Sequence, residues 1–249
     1  MAFSADAVQG VCFIEPSSRP DDALRMWSAV FPNGGPEGFQ RVANSPTLLS
    51  FANGEQGGFF CSLNVQVGRI DIVLNRRNPQ TLISVNEGPP RIENIKEAVD
   101  FLALHLQNAT THQKVMRIGI VLDLTMDSVL GAEAEAMRSQ LAHLHIPQNA
   151  TDVQFQMNVR KQLECQPNLA MNRLCAWSSG QAGFFQITPT GPVAGQLRPV
   201  ITMKVDVNTA PEGRLASTSI PMAIKELAHE ALRLHIKGLD GLWGDGNVK

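Results

Sequence analysis

His229, Glu230 and His235 place two imidazoles and a carboxylate on one stretch of helical periodicity, the residue types a zinc-protease helix uses. That chemistry needs the second histidine four positions after the first, so that both rings point at one ion. Position 233 is Arg, and His235 lies some 120° around an ideal helix from His229. No metal site is read there. His143 and His145 stand two apart at a helix end, where the helix dipole is reason enough for them. His105 and His112 have no acidic or cysteine neighbour at ligand spacing. The four cysteines, Cys12, Cys61, Cys165 and Cys175, form no C-x-x-C pair and read as reduced core thiols. The glycine-rich stretches NGGPEG and NGEQGG lack both the Lys-Ser/Thr of a phosphate loop and a G-x-G-x-x-G fingerprint, so they read as turns. There is no G-x-S-x-G elbow, and Ser178-Ser179-Gly180 fits a turn between strands. Asp71, Asp123 and Asp206 fall in or at the ends of strands, where solvent exposure explains them. No catalytic residue, metal or cofactor is assigned from sequence; convergence of distant Cys, His and Asp residues is left to the fold.

The chain that must position these groups has 249 residues, 43% hydrophobic and 18% charged, with a net charge of −2. That is a globular composition with no global attraction for nucleic acid or anionic lipid. Eleven phenylalanines stand against no tyrosine, which removes one common catalytic acid. No stretch reaches the ~20 apolar residues that span a bilayer, and a cytoplasmic protein is expected.

Periodicity gives the elements. Val11 to Ile14 is a strand, followed by a helix carrying Leu24, Trp27 and Phe31 on one face, which PNGGPEG ends. Thr47 to Phe51, Phe59 to Val67 and Ile70 to Leu74 read as meander strands, the last two joined at Gly68-Arg69, with a weaker strand at Thr81 to Val85. Ile92 to Leu106 forms a helical stripe. The order then recurs: strand Val115 to Leu124, a helix opened by Asp127 with Leu130, Ala134, Met137, Leu141 and Leu144 in phase, strands Val153 to Val159, Leu169 to Trp177, Gly183 to Ile187 and Ile201 to Asn208, and a helix from about Pro221 to Lys237. Strict alternation leaves Gln154, Gln156, Asn158, Thr202, Lys204, Asp206 and Asn208 on the wet faces of their strands.

Three phrases recur in the same order: Gly58-Phe59-Phe60 with Gly183-Phe184-Phe185, Asn75 and Pro79 with Asn208 and Pro211, and Ile95-Lys96-Glu97 with Ile224-Lys225-Glu226. The fold class expected is therefore α+β, a tandem pseudo-repeat of β-α-β-β-β-β-α units over residues 1–110 and 111–249, able to form one continuous domain. Antiparallel sheets should carry helices packed on one face. Each Phe pair should split, one ring entering the core and one pointing to the opposite face.

The runs VQVGRIDIVLNRR, IENIKEAVDFLALHL, MRIGIVLDL and ITMKVDVNT, in this order, resemble the layout of a sporadically distributed family of uncharacterised bacterial proteins of about this size; the resemblance implies no site. The repeated order also resembles TATA-binding-protein-like folds, whose paired phenylalanines wedge into a minor groove. That likeness implies nucleic-acid binding through Phe59, Phe60, Phe184 and Phe185 with the local basic cluster Arg69, Arg76 and Arg77. The near-neutral charge counts against it. The reading from sequence is a non-catalytic binding or assembly protein, using sheet surface or strand edges to meet a protein partner or its own copy as a homodimer. The alternative is an enzyme or small-ligand sensor with a pocket between sheet and helix.

Overall fold

The computed structural model describes residues 2–15, 22–43, 45, 47–76, 90–111, 113–150, 152–182, 185–188, 191–194 and 197–244. Strand β1 (Ser4–Ile14) leads through helix α1 (Ala23–Val30) to an antiparallel meander of β2 (Gly38–Arg41), β3 (Leu48–Gln56), β4 (Phe59–Gln66) and β5 (Arg69–Asn75), and β5 returns to pair with β1. Helix α2 (Ile95–Thr110) follows, and β6 (Val115–Asp127) pairs along the other side of β1. After α3 (Glu133–Gln140) come β7 (Gln154–Gln162) and β8 (Ala170–Ala182), a short ribbon of β9 (Phe185–Thr188) and β10 (Gly191–Ala194), then β11 (Arg198–Thr209) and α4 (Ile220–Trp243). The nine-stranded sheet has the order β2-β3-β4-β5-β1-β6-β11-β8-β7, with every pairing antiparallel. The fold is α+β.

Local chemistry sets the joints. Gly57 and Gly58 both have positive φ (58° and 82°), the geometry of the tight turns whose twist matches a hairpin, and a Cβ on Gly57 would lie 2.3 Å from the Phe101 ring. Asn94 caps α2 by accepting from Glu97 N at 3.2 Å, while its amide nitrogen reaches the Glu97 carboxylate at 3.1 Å. Asp22 caps α1 in the same way through Arg25 N.

Register divides the sheet into two faces. Val8, Gly10 and Cys12 stand beside Leu74, Ile72 and Ile70 of β5 and Leu122, Ile120 and Ile118 of β6, all on the face that α2 covers. The bare Cα of Gly10 lets Leu102 of α2 come close, since a Cβ there would sit 3.1 Å from it. Farther along, α4 covers Val205, Val207 and Cys175, and Met137 of α3 and Leu141, just after it, join the same apolar core. Each fully buried Leu or Ile contributes about 1.5–3 kcal/mol, so this face holds the fold together.

One polar group breaks the apolar pattern. Arg173 of β8, 1% exposed, points toward α4 and donates to Glu230 Oε1 (3.1 Å), to the Val159 carbonyl (3.2 Å) and to the Leu242 carbonyl (3.5 Å). Arg233 adds bonds to both Glu230 oxygens (2.9 and 2.6 Å) and to the Gly241 carbonyl (2.8 Å). These donors hold the last turns of α4 after the chain kinks at Gly238, whose φ of 52° and ψ of −129° are not helical.

Several expectations change. Asp127 closes β6 instead of opening a helix, and Leu130 is 74% exposed; α3 starts only at Glu133, because Gly131 takes a φ of 82°. The β4–β5 loop is Val67-Gly68, since Gln66 pairs with Arg69. Strand β1 starts at Ser4, well before Val11, and β2 and β10 were unforeseen. The strand expected at Thr81 to Val85 lies outside the described residues. The two GFF phrases do not occupy matching strands: Phe59 and Phe60 open β4 in the large sheet, whereas Phe185 opens β9 in the separate ribbon.

Candidate functional site

The face opposite α2 and α4 carries the other half of every alternation. Across β11, β8 and β7 it presents Thr202, Lys204, Asp206 and Asn208, then Asn172, Ala176 and Ser178, then Gln154, Gln156, Asn158 and Arg160. Strands β1, β6 and β5 add Gln9 and Phe13, Arg117, Asp123 and Thr125, and Arg69 and Asp71. We term this uncovered face the trough.

Towards one end of the strands lies a groove of about 570 Å³. Asp6 forms part of its wall, accepting from Thr125 Oγ1 (2.5 Å) and from Arg91 (3.1 Å), which also reaches Asp127 (3.0 Å). Ser178 and Thr202 share a hydrogen bond at 2.7 Å on the floor, and Lys204 faces Asp123 at 3.5 Å. Gln154 and Gln156 of the edge strand form the far wall. Charges are nearly balanced here, so the groove offers hydroxyl and amide hydrogen bonds more than a strong field.

Towards the other end runs a lateral polar ladder. Arg160 bonds Asn172 (3.1 Å), Asn172 bonds Asn208 (3.1 Å), and Arg117 donates to Asn208 (3.1 Å) and to the Thr209 carbonyl (3.0 Å). The Phe13 ring then lies between two guanidiniums, Arg117 at 4.8 Å and Arg69 at 5.5 Å. Arg69 continues to Asp71 (2.8 Å), which also accepts from Gln66 (2.7 Å). Five pairs of neighbouring polar side chains are thus tied to one another.

The sequence-derived binding residues are scattered. Arg69 belongs to the ladder, but Arg76 follows the opposite end of β5, about 20 Å away along a seven-residue strand, and donates to the Gly58 carbonyl (3.1 Å). Phe59 packs in the core against Phe101, with ring centroids 5.3 Å apart, and Phe60 points to the opposite face, as alternation requires. Phe60 is nonetheless only 2% exposed, so it offers little surface to a partner. Phe185 lies in β9; Phe184 and Arg77 fall outside the described residues. The residues that sequence reasoning missed are Phe13, Arg91, Arg117 and Asn172; for Phe13, Arg117 and Asn172 the only signal was their parity on strands whose partners were not yet known, and Arg91, outside the named strands, had none.

The other chemically suggestive residues serve the fold. Burial pushes the Cys12, Cys61 and Cys175 thiols up to about 12, which keeps them protonated and weakly nucleophilic. His105 stacks against Phe31 and Phe101 and donates from Nδ1 to the Val30 carbonyl (2.6 Å), tying α2 to the end of α1. His229 is exposed and His235 half-buried, on different sides of α4, and His143 meets Asp240 at 2.9 Å. Among the described residues no group of three or more His, Cys, Asp or Glu side chains converges as metal ligands.

The fold and face define a class in structural terms only: an α+β protein with helices against one side of a long antiparallel sheet and a polar trough on the other. Comparison with models of known protein families, with curated proteins and with solved structures finds no match. No helix among the described residues is long and apolar enough to cross a membrane.

Proposed function

We propose that this chain is a non-catalytic binding protein that receives a polar, near-neutral protein segment in the trough of its uncovered sheet face. The observation that carries this reading is the groove at Asp6, Thr125, Ser178 and Thr202, where hydroxyls and carboxylates converge already held by one another. Preorganised groups lose little side-chain entropy when a partner docks. Ser178 also lacks the activation a nucleophile needs, being bonded to Thr202 and not to a base, and the carboxylate that Thr125 meets, Asp6, is already paired with Arg91. A pocket between sheet and helices, which an enzyme or sensor reading requires, has less support, since Leu102, Leu106, Leu227 and Leu234 fill that space as core. Nucleic acid finds support in the Arg117–Phe13–Arg69 stack alone, with Asp71 and Asp206 close by to offset it.

We also infer that the trough is built by two copies of one ancestral unit. Read outward from the β1–β6 pair, the order β5-β4-β3 on one side mirrors β11-β8-β7 on the other. Asn75 and Asn208 fall at the ends of the mirrored strands β5 and β11, and Ile95 and Ile224 are both buried in α2 and α4. The GFF phrase does not share in this correspondence.

The test is site-specific photo-crosslinking in cells, with a benzophenone amino acid at Ala176 on the trough floor and, as control, at exposed Leu104 on α2. A discrete protein adduct from position 176, absent from position 104 and lost on adding Ser178→Arg, is the expected result. Adducts to nucleic acid, or none from the trough, would overturn the reading.

A further inference from the structure

The two edges of the large sheet differ in kind. β2 is four residues long, and its Arg41 is held by Asp22 at 2.5 Å. β7 is nine residues long, has no proline and no break in its register with β8, and among the described residues nothing pairs with its outer side. Natural sheets protect long edges by bulges, prolines, charged side chains or shortness, or else use them; the charges of β7, Arg160 and Lys161, stand together near one end, and Arg160 is tied to Glu212 at 2.6 Å.

Hydrogen-bond parity says what the free edge offers. Ser179 N donates to the Val153 carbonyl and Leu163 N to the Leu169 carbonyl, so the odd-numbered residues of β7 turn their backbone groups toward β8. Gln154, Gln156, Asn158, Arg160 and Gln162 therefore turn theirs outward. On the helix side, Phe155, Met157 and Val159 pack against the core yet remain half-buried, an apolar row left incomplete at its outer flank.

We propose that β7 is a self-association strand, along which two copies pair antiparallel about a twofold axis at Asn158. This register overlaps the full strand and matches outward-facing residues to outward-facing residues, as an antiparallel ladder requires. It sets Gln156 opposite the second copy's Arg160, Phe155 opposite its Lys161 and Met157 opposite its Val159. No cation meets a cation, and the half-buried row continues across the axis. Both troughs then lie on the same side of one doubled sheet, the Gln154 and Gln156 wall of each copy running beside the Gln162 and Arg160 end of the other. The pairing goes beyond the trough reading and stands whether or not a segment binds there.

Sedimentation velocity of the purified full chain over rising concentration tests it. The wild type should shift from the single to the doubled mass. Asn158→Pro removes one outward N–H without touching the β7–β8 bonds and should stay at the single mass with unchanged circular dichroism. Asn158→Asp opposes two carboxylates on the axis and should abolish the doubled mass at neutral pH. The register is read separately: directly opposed residues with outward hydrogen bonds have Cα atoms about 5.5 Å apart, within disulfide reach. Asn158→Cys, in a Cys165→Ser background, should give a disulfide-linked dimer on mild oxidation, and Gln154→Cys should not. If the proline variant fails to fold, the aspartate and cysteine variants decide. A wild type that keeps the single mass to its solubility limit, or an Asn158→Asp variant that still doubles, overturns the proposal.

Discussion

The covered and uncovered faces of the one sheet carry polar groups on opposite terms. Under the helices the described polar side chains are few, and Arg173 and Glu230 survive there only because Arg233 and backbone carbonyls complete their bonding. In the trough, polar groups are the rule, water reaches most of them, and their mutual bonds organise a surface more than they stabilise a fold. A hydrogen bond of the same length therefore has different consequences on the two sides. Asp71 lies between these cases: buried, but on the uncovered face beneath Arg69 and Gln66.

The sharpest way to break the comparison is Glu230→Gln. It leaves Arg173 a buried charge without a full counter-ion and should cost about 3–5 kcal/mol in urea unfolding; the paired change Arg173→Met with Glu230→Leu should recover much of that loss. A somewhat smaller effect, about 3 kcal/mol, is expected for Phe60→Ser, because this ring is buried although it belongs to the uncovered face. A loss below about 1 kcal/mol would show that Phe60 is exposed in solution and return it to the binding surface.

Acid should distinguish the faces next. Burial depresses the pKa of His105, partly countered by its bond to Val30, and burial alone depresses that of His235. The unfolded chain therefore takes up these protons first, so the contribution to stability is full above about pH 6.5 and is lost as pH falls below it. Glu230 acts lower down: burial raises its pKa, but the Arg233 and Arg173 bonds outweigh that and hold it below the ordinary value. Its contribution is present above the ordinary glutamate pKa and lost as pH falls through the folded value. Urea midpoints should thus decline in two steps, and His105→Asn should shrink the upper step alone. The smallest effect is expected in the trough, where Gln156→Ala and Thr202→Ala should each change stability by less than about 0.5 kcal/mol while weakening crosslinking from position 176.

Strict alternation made β7 and β11 legible in the sequence, and with them Gln154, Gln156, Thr202 and Lys204 of the groove. The first half of β1 was not, because Ser4, Asp6 and Gly10 give a weak pattern and only pairing with β5 and β6 makes the strand. The helix expected from Asp127 forms only over Glu133–Gln140, keeping Ala134 and Met137 in phase but not Leu130, because the φ of 82° at Gly131 delays its start. Arg173 stood hidden for a different reason: a charge on the inward parity of a strand reads as an error until Glu230 arrives from a distant helix. The ladder was illegible as a whole: Arg69–Asp71 lies within β5 and Gln66–Asp71 within one hairpin, but the links from Arg117 to Asn208 and Asn208 to Asn172 join strands whose adjacency is decided by topology and not by neighbouring residues.

The position of β1 also sets a timetable. Val11 stands opposite Asp71 on one side and Gly119 on the other, so β1, ahead of the other described strands in sequence, sits at the sheet's centre, and neither of its sides is closed by a local hairpin. The β3–β4–β5 meander and the β8–β11 hairpin can form from near neighbours, but joining them waits on two large loops closing around one early strand. Such non-local pairing places refolding in the range of milliseconds to seconds. Until then β1 has two open edges, and the chain during synthesis is most exposed to mispairing at the strand that later becomes its most enclosed.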